Sequence, residues 1–449
     1  MSNYLILIIF LILQGCYSSN TVFEEPKQPS EWTRGTIEDI AEVDVSDLKS
    51  WWEKFNDPVL NDLITLSLNN SPDREIAASR INKARGLQRT QRSYLFPQVD
   101  VLSKTGREDA GTKTDNYYDL RFDASYELDV FGENKKRVKS ADLDIEAAEE
   151  DYKDITLTLI GDVARSYLRV REFQKQMVIA KNNLKLQEET LALIRNQFSV
   201  GEATQLDLER AENLVNTTTA SIPEFERSAI NAQLQLTVLT GVLPEYLKDF
   251  ISMQDNIPGA DIKVVLLSPA QVLMYRPDIR AAISRLKSST AITEAESASI
   301  FPEFNLGAFY GVAESALISP ATIWGVFLGG AFALLDFGRI EGKIDAAKAD
   351  QMQAFQEYRK RILNAVTEVE TALNDYSKIS NRRVSLDKAY INAKKAMQLS
   401  MQLFKEGEIS FLDVLDSQRT VNQSDSELVS AQAAQSESLI RLYKSLGVY

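Results

Sequence analysis

The stretch FSVGEATQLD at Phe198–Asp207 returns as FKEGEISFLD at Phe404–Asp413, 206 positions further along the chain. Five of the ten positions are identical, namely Phe, Gly, Glu, Leu and Asp. Earlier in the sequence, Pro72-Asp73 recurs as Pro277-Asp278 after 205 positions. Landmarks that keep their order in this way indicate a tandem duplication, and a period this long makes the repeating unit half of the protein.

Composition narrows the functional classes. The chain has 449 residues, 44% hydrophobic and 25% charged, which is typical of an ordered, packed protein. Its net charge of -14 argues against nucleic acid as a partner. The sequence has no histidine and one cysteine, so the commonest general base and the usual nitrogen and thiolate metal ligands are missing. We therefore expect no enzymatic activity, no metal site and no cofactor.

The N-terminus indicates export. Tyr4–Leu13 is a nearly continuous apolar run that is too short to span a bilayer, so residues 1–15 are predicted to be a signal peptide. The next residue is Cys16, and Leu13-Gln14-Gly15-Cys16 resembles a bacterial lipoprotein cleavage box. We expect lipid attachment at Cys16 and an irregular lipidated leader over residues 16–45. The alternative is an ordinary signal peptide with an incidental cysteine.

Each half contains a pair of predicted strands. From Tyr118 to Asp129 apolar and polar residues alternate strictly, which predicts a strand with one dry face and one wet face. Residues 97–105 are its predicted partner, so the first strand pair covers about 97–129. The second pair covers about 303–335 and includes an alternating strand from Trp324 to Leu335.

Very long helices follow the strand pairs. Residues 133–197 and 339–403 contain no proline, and a helix of that length would extend roughly 100 Å. Turns are predicted at 199–203 and 405–409, each followed by a returning helix, and Pro223 is expected to break or kink the first of these. One helix is expected over residues 50–70 and another over 74–93. The domains are thus a first repeat at 46–241, a linker at 242–276 and a second repeat at 277–449.

The strands and helices together imply an assembly. Four strands cannot close a barrel, and an open sheet edge is not viable in lipid, so several chains must share one barrel. Two chains would give eight strands around a filled lumen, and three would give twelve around water. The number of chains is not fixed by the strand count of one chain. The alternative is a coiled-coil scaffold lipoprotein without a pore.

Several motifs resemble those of the outer-membrane factor family, the TolC-like efflux and secretion ducts. Trp51-Trp52, Phe55, Asp57 and Leu60 resemble its N-terminal signature, and residues 276–282 (RPDIRAA) are similar to a motif of its lipoprotein branch, the NodT/OprM type. Further motifs that fit the family are Phe96-Pro97, Phe301-Pro302, Phe131-Gly132, the DFGR run at 336–339 and both glycine turns.

The resemblance implies fold, partners and function. The expected fold is a homotrimer with a 12-stranded outer-membrane β-barrel, four strands per chain, that continues into a long periplasmic α-helical barrel. The expected partners are outer-membrane lipid, a periplasmic adaptor (membrane fusion) protein and an inner-membrane pump. The protein would be the outer-membrane channel of a tripartite efflux system, a passive exit duct for small molecules. The alternative in the same class is the duct of a type I protein secretion system.

The resemblance also implies a periplasmic gate. Asp413 and Asp416 fall on the family's acidic-ring positions, and Asp207 is the equivalent of Asp413 in the first repeat. Like charges crowded around a narrow hole would raise their pKa values, so closure should depend on pH and on bound cations. The alternative is that these are first-turn aspartates favoured by the helix dipole. Ile409 replaces the family's basic partner in this segment.

The two glycine turns are the expected contact with the adaptor. Gly201 and Gly407 permit the left-handed backbone that a tight turn between helices needs. The predicted contact residues are Val200, Gly201, Glu202, Ala203, Glu406, Gly407, Glu408 and Ile409.

Overall fold

The computed structural model describes residues 29–33, 41–42, 48–109, 111, 114–251, 256–259, 264–315 and 320–448. The predicted signal peptide, Cys16 and most of the predicted leader lie outside these residues. Within the described ranges, no helix combines the length and apolarity that crossing a membrane would require.

The first repeat begins with a 3₁₀ helix at Trp51–Phe55. Its further elements are α1 (Pro58–Asn70), α2 (Pro72–Ser93), β2 (Gln98–Asp109), β3 (Thr114–Leu128), α3 (Glu133–Ser199) and α4 (Gln205–Thr240). The linker contributes α5 (Pro244–Phe250), β4 (Val265–Leu266) and α6 (Pro269–Tyr275), and β4 pairs in parallel with β1 (Ala41–Glu42). The second repeat contains α7 (Pro277–Ala298), β5 (Glu303–Glu314), β6 (Ala321–Ala331), α8 (Arg339–Lys405) and α9 (Phe411–Leu446).

Element lengths repeat between the two halves. Both α2 and α7 have 22 residues, both α3 and α8 have 67, and both α4 and α9 have 36. The duplication seen in the sequence is therefore a duplication of structure, offset by 205 positions at α2 and by 206 at α3 and α4.

A four-stranded antiparallel sheet has the order β2-β3-β5-β6. One row across it joins Val101, Phe122, Tyr310 and Trp324, which are 62%, 56%, 63% and 72% exposed in the single chain. On the opposite face, Arg121 pairs with Asp119 at 3.2 Å and with Asp123 at 3.0 Å. The sheet thus has an apolar face and a polar face, and β2 and β6 are its two edges.

The last strand is shorter than predicted. Ala331, the last residue of β6, lies opposite Glu303, the first residue of β5. Beyond Ala331 the neighbouring strand provides no further paired position, so the predicted extension to Leu335 is wrong. Asp336 instead accepts hydrogen bonds from the backbone N–H groups of Gly338 at 3.1 Å and Ile340 at 2.9 Å, at the start of α8.

The helices form one layer whose two edges consist of different helices. In the part of the layer next to the sheet, adjacent helices follow the order α2-α3-α7-α8. In the part remote from the sheet, the order is α4-α3-α9-α8. Hence α2 and α4 lie at one edge of the layer and α8 lies at the other. α9 ends at Leu446, and its cap residue Gly447 lies beside Arg276 at the start of α7, so these two helices nearly abut.

The helix α4 continues through Pro223, so of the predicted break or kink the break is wrong. An internal proline removes a hydrogen bond and costs about 3 kcal/mol. Buried side chains on both sides of it, Leu214 towards the turn and Leu236 towards the other end, belong to apolar clusters that include α3. Packing along α3 therefore outweighs the local cost.

The linker packs on the start of the first repeat. Leu247 and Ile257 share a buried cluster with Trp51, whose ring stacks on that of Tyr443 at 5.6 Å. The single helix predicted over residues 50–70 is divided because Asn56 adopts a left-handed conformation, with φ 51°, before Pro58 starts α1.

Two glycines at helix ends should respond differently to alanine. Gly407 has φ 78° with open space around it, whereas Gly447 has φ 77° and an added Cβ would lie 2.5 Å from Cγ of Arg276. We expect Gly407→Ala to cost about 1–2 kcal/mol of backbone strain and Gly447→Ala to cost clearly more. Thermal unfolding of the detergent-solubilised protein measures both, and equal losses would contradict the packed junction between α7 and α9.

Candidate functional site

Both hairpin turns lie side by side at the end of the helices remote from the sheet. We call residues 198–204 and 404–410 the hairpin tips. A buried apolar cluster behind them draws on α3, α4 and α9, and Phe404 at the end of α8 packs against it. Its fully buried members include Ile194 and Val414, and the rings of Phe404 and Phe411 are 5.9 Å apart. The two tips are therefore held as one unit.

The two tips have the same backbone geometry. Gly201 and Gly407 have φ 81° and 78°. The residue after each glycine closes the turn, because Glu202 N–H donates to the carbonyl of Gln197 at 2.8 Å and Glu408 N–H donates to that of Leu403 at 2.9 Å. These are Schellman-type C-caps, which satisfy the last carbonyls of α3 and α8.

Most of the predicted adaptor-contact residues are on the surface. The exposed ones are Val200, Gly201, Glu202, Glu406, Gly407 and Glu408. Ala203 and Ile409 are half-buried and pack against the tip cluster. Val200, at 69% exposure, is an apolar side chain presented to solvent. Ile409 thus has a packing role at the second tip.

Two of the predicted gate aspartates cap helices. Asp413 Oδ2 accepts hydrogen bonds from the backbone N–H of Ser410 at 3.0 Å and from its hydroxyl at 2.7 Å. Asp207 Oδ2 accepts the equivalent pair from Thr204 at 3.2 Å and 2.6 Å, and its other oxygen lies 3.9 Å from Arg210. Each aspartate completes a capping box, where negative charge is also favoured by the helix dipole.

Asp416 lies on α9, three residues beyond Asp413, and is exposed. Its backbone carbonyl accepts a hydrogen bond from the hydroxyl of Thr420 at 2.9 Å. Asp413 and Asp416 lie close together on α9, since residues three apart are surface neighbours on a helix. The helix-cap geometry of Asp413 is compatible with a gate role, because its side chain remains exposed.

A second polar cluster lies where α9 meets α7, and the sequence pattern did not predict it. Arg276 donates to both carboxylate oxygens of Asp278 at 2.9 Å, to Glu368 at 2.8 Å and to the carbonyl of Ser445 at 2.9 Å. The network joins α7, α8 and α9 beside a cavity of about 430 Å³ that Asp154 also lines. Only Arg276-Pro277-Asp278 is contiguous in the sequence. The other partners, Glu368 and Ser445, are distant in the chain, so the sequence could not predict the cluster.

The pKa values of Arg276 and Asp154 at this junction are both raised. Burial alone would lower the pKa of Arg276, but hydrogen bonds and charges from Asp278 and then Glu368 outweigh it and raise the pKa. Burial raises the pKa of the Asp154 carboxyl, and the negative charge of Asp278 adds to the effect. Among the described residues, no group of three or more His, Cys, Asp and Glu side chains could hold a metal ion.

The fold and the paired hairpin tips define an outer-membrane channel. The model of the outer membrane efflux protein family matches residues 63–242 and 269–448, which is most of the chain. The chain therefore belongs to the outer membrane efflux protein family.

This chain is similar to known proteins along most or nearly all of its length. The toluene efflux pump outer membrane protein TtgF of Pseudomonas putida is 30% identical over 480 residues, covering 99% of this chain and 96% of its own. The pyoverdine export outer membrane protein OpmQ of Pseudomonas putida is 29% identical over 415 residues, with 88% and 87% covered. The solved structure of the outer-membrane channel OprN matches with a TM-score of 0.82 and 28% identity, covering 96% of this chain and 99% of that one.

These likenesses confirm the predicted family and fold class. The chain is an outer-membrane efflux channel, and in this fold each chain of a trimer brings four strands and its long helices to one channel. The outer-membrane location is confirmed as well. A scaffold without a pore does not fit this likeness.

Two substitutions of Asp413 distinguish its helix-capping role from any other role of its negative charge. Asp413→Ala removes the acceptor for Ser410, whereas Asp413→Gln keeps an acceptor of the type that capping boxes use. We expect the alanine variant to weaken the first turn of α9 by about 1 kcal/mol and the glutamine variant to stay near wild type. Amide hydrogen exchange of the peptide that contains Ser410 measures this, and equal protection in all three proteins would refute the cap.

Proposed function

We propose that three copies form the exit duct of a tripartite efflux system, receiving small molecules from an inner-membrane pump through a periplasmic adaptor protein. The supporting observation is the length of α3 and α8, 67 residues each, which corresponds to about 100 Å at 1.5 Å per residue. Each helix has the sheet at one end and a hairpin tip at the other. A duct of this length carries cargo across the periplasm without releasing it.

The hairpin tips are the proposed docking surface for the adaptor protein. The cluster behind them holds both turns in a fixed relation, and the exposed residues Val200, Glu202, Glu406 and Glu408 stand at their ends. A preformed surface loses little conformational entropy on binding, which favours repeated assembly with a partner.

Asp413 and Asp416 are the proposed periplasmic gate, with Asp207 as a secondary contributor. In a trimer each aspartate occurs three times around one axis. Crowded carboxylates repel one another, so closure would require protons, cations or opposing positive charge. The half-buried Ile409 offers no such charge, so a salt bridge at that position does not latch this gate.

Small molecules are the proposed cargo. TtgF is named for toluene efflux and OpmQ for pyoverdine export, and both cargoes are small molecules rather than proteins. This favours efflux over the alternative of type I protein secretion.

Cys16 is the proposed lipid anchor. In the described part of the leader, Trp32 Nε1 donates to the carbonyl of Leu267 at 2.8 Å, just before the seven-residue helix α6, which ends at its junction with α7. From Cys16 to Pro29 the chain can extend at most about 45 Å. The helix α7, which leads from this junction to the sheet, has 22 residues or about 33 Å. The leader is therefore long enough to reach the membrane surface.

Conductance in planar bilayers tests the duct and its gate. Trimers of the wild-type protein should show a low-conductance closed state at neutral pH. The double variant Asp413→Gln with Asp416→Asn should raise that conductance several-fold, because it removes the acidic rings and keeps the helix cap. Asp387→Asn, an exposed carboxylate on α8 away from the tips, is the matched control.

Two results would count against these assignments in different ways. Trimers that never conduct in any variant would refute the duct. Conducting trimers whose closed-state conductance is the same with and without the two aspartates would refute the gate and leave the duct standing.

Metabolic labelling with palmitate tests the anchor. The full-length chain expressed in a Gram-negative host should incorporate label, and Cys16→Ser should abolish it, because no other cysteine exists in the sequence. An unlabelled wild-type protein of the mass expected for simple signal cleavage would refute lipidation.

A further inference from the structure

In the trimeric ring of the proposed function, on which this inference rests, neighbouring copies meet along a seam. In a closed ring of identical chains, one edge of the helix layer meets the opposite edge of the next copy. Next to the sheet these edges are α8 of one copy and α2 of its neighbour. The faces that would meet carry exposed apolar side chains, including Ile76 at 51% and Met352 at 45%.

The internal duplication supplies a template for this contact. α8 repeats α3 with an offset of 206, and α2 repeats α7 with an offset of 205. The packing of α3 on α7 within one chain is therefore the structural equivalent of α8 on α2 between chains. Both contacts join the long helix of one repeat to the short helix of the next.

Three side-chain contacts define the register of the template. Asp151 forms an ion pair with Arg285. Asp144 accepts a hydrogen bond from the hydroxyl of Ser288 at 2.7 Å. Glu146 accepts one from the hydroxyl of Ser284 at 3.4 Å.

Shifted by the repeat offsets, these positions give Glu357 opposite Arg80, Asp350 opposite Lys83, and Met352 opposite Ser79. We infer that Glu357–Arg80 and Asp350–Lys83 are ion pairs between copies, and that Met352 enters the neighbour's α2 surface. The first pair reproduces the charge signs of its intrachain equivalent, and the second has opposite charges where the template has a hydrogen bond.

The surfaces suit this pairing. A shallow groove on α2 is lined by Pro72, Glu75, Ile76, Ser79, Arg80 and Lys83, and it offers an apolar floor to Met352. All four charged residues are exposed in the single chain, and Glu357 also accepts a hydrogen bond from Gln353 at 3.0 Å within α8.

The charge balance of α2 also favours an acidic neighbour. It carries six basic residues, Arg74, Arg80, Lys83, Arg85, Arg89 and Arg92, against the acidic Asp73 and Glu75. Arg74 and Arg85 already bond to α3, through Tyr152 and Glu149. A second copy of this chain presents the complementary carboxylates in the right order along α8.

Cysteine cross-linking tests the register directly. The full-length double variant Arg80→Cys with Glu357→Cys, treated with a short bis-maleimide in detergent, should give covalent dimers and trimers on denaturing gels. Each single variant is a control for reaction through Cys16. Arg285→Cys with Asp151→Cys reports the reactivity of the same geometry within one chain.

A register control uses Arg80→Cys with Lys343→Cys. Lys343 lies 14 residues from Glu357 on α8, or about 21 Å. We expect at least ten-fold less cross-linking from this pair than from Arg80→Cys with Glu357→Cys.

The outcomes separate the seam from the trimer. Solution mass is measured first, and a monomer would refute the proposed function together with the seam. A trimer whose Arg80→Cys with Glu357→Cys variant stays uncross-linked would refute the seam alone, and so would equal yields from the register control. Protection of these cysteines that appears only when an adaptor protein is added would assign the face to that partner and overturn the inference.

Discussion

The unpaired edges of the sheet are the constraint on which the rest of the structure depends. Within one chain the ladder ends at β2 and β6, whose outer backbone groups would each lack a partner in lipid at a cost of several kcal/mol. A further copy can satisfy them, and a ring of three gives twelve strands from four per chain. Because β2 leads out of α2 and β6 leads into α8, the ring that closes the sheet also brings these helices together.

Because of the duplication, one type of helix packing serves both within a chain and between chains. Each repeat supplies one strand pair, one long helix and one returning helix, so contacts inside a chain and contacts between chains are variations of one packing. The differences between the repeats then carry the specialised features. Arg276 and its partners occur at the α7–α9 junction, whereas Gly241 and Pro72 meet in the equivalent place in the first repeat. The second hairpin tip has Glu406 where the first has Val200.

Much of the fold could be predicted because its periodicities are long and regular. The alternation from Tyr118 to Leu128 identified β3, and the proline-free stretches identified α3 and α8. Features set by distant partners could not be predicted. The end of β6 depends on where β5 begins, and the continuity of α4 through Pro223 depends on packing against α3. At the site, the sequence placed Asp413 at the start of a helix. The hydrogen bond that its carboxylate accepts from Ser410 depends on side-chain geometry, which the sequence does not give.

The mass of the detergent-solubilised particle, with bound detergent subtracted, tests the central claim most directly. Multi-angle light scattering combined with refractive-index and absorbance detection gives that value. The open edges of β2 and β6 predict a particle of three chains with no stable species of one chain. A monodisperse single chain that keeps its strand content would contradict the account, because its sheet would then be complete without a neighbour.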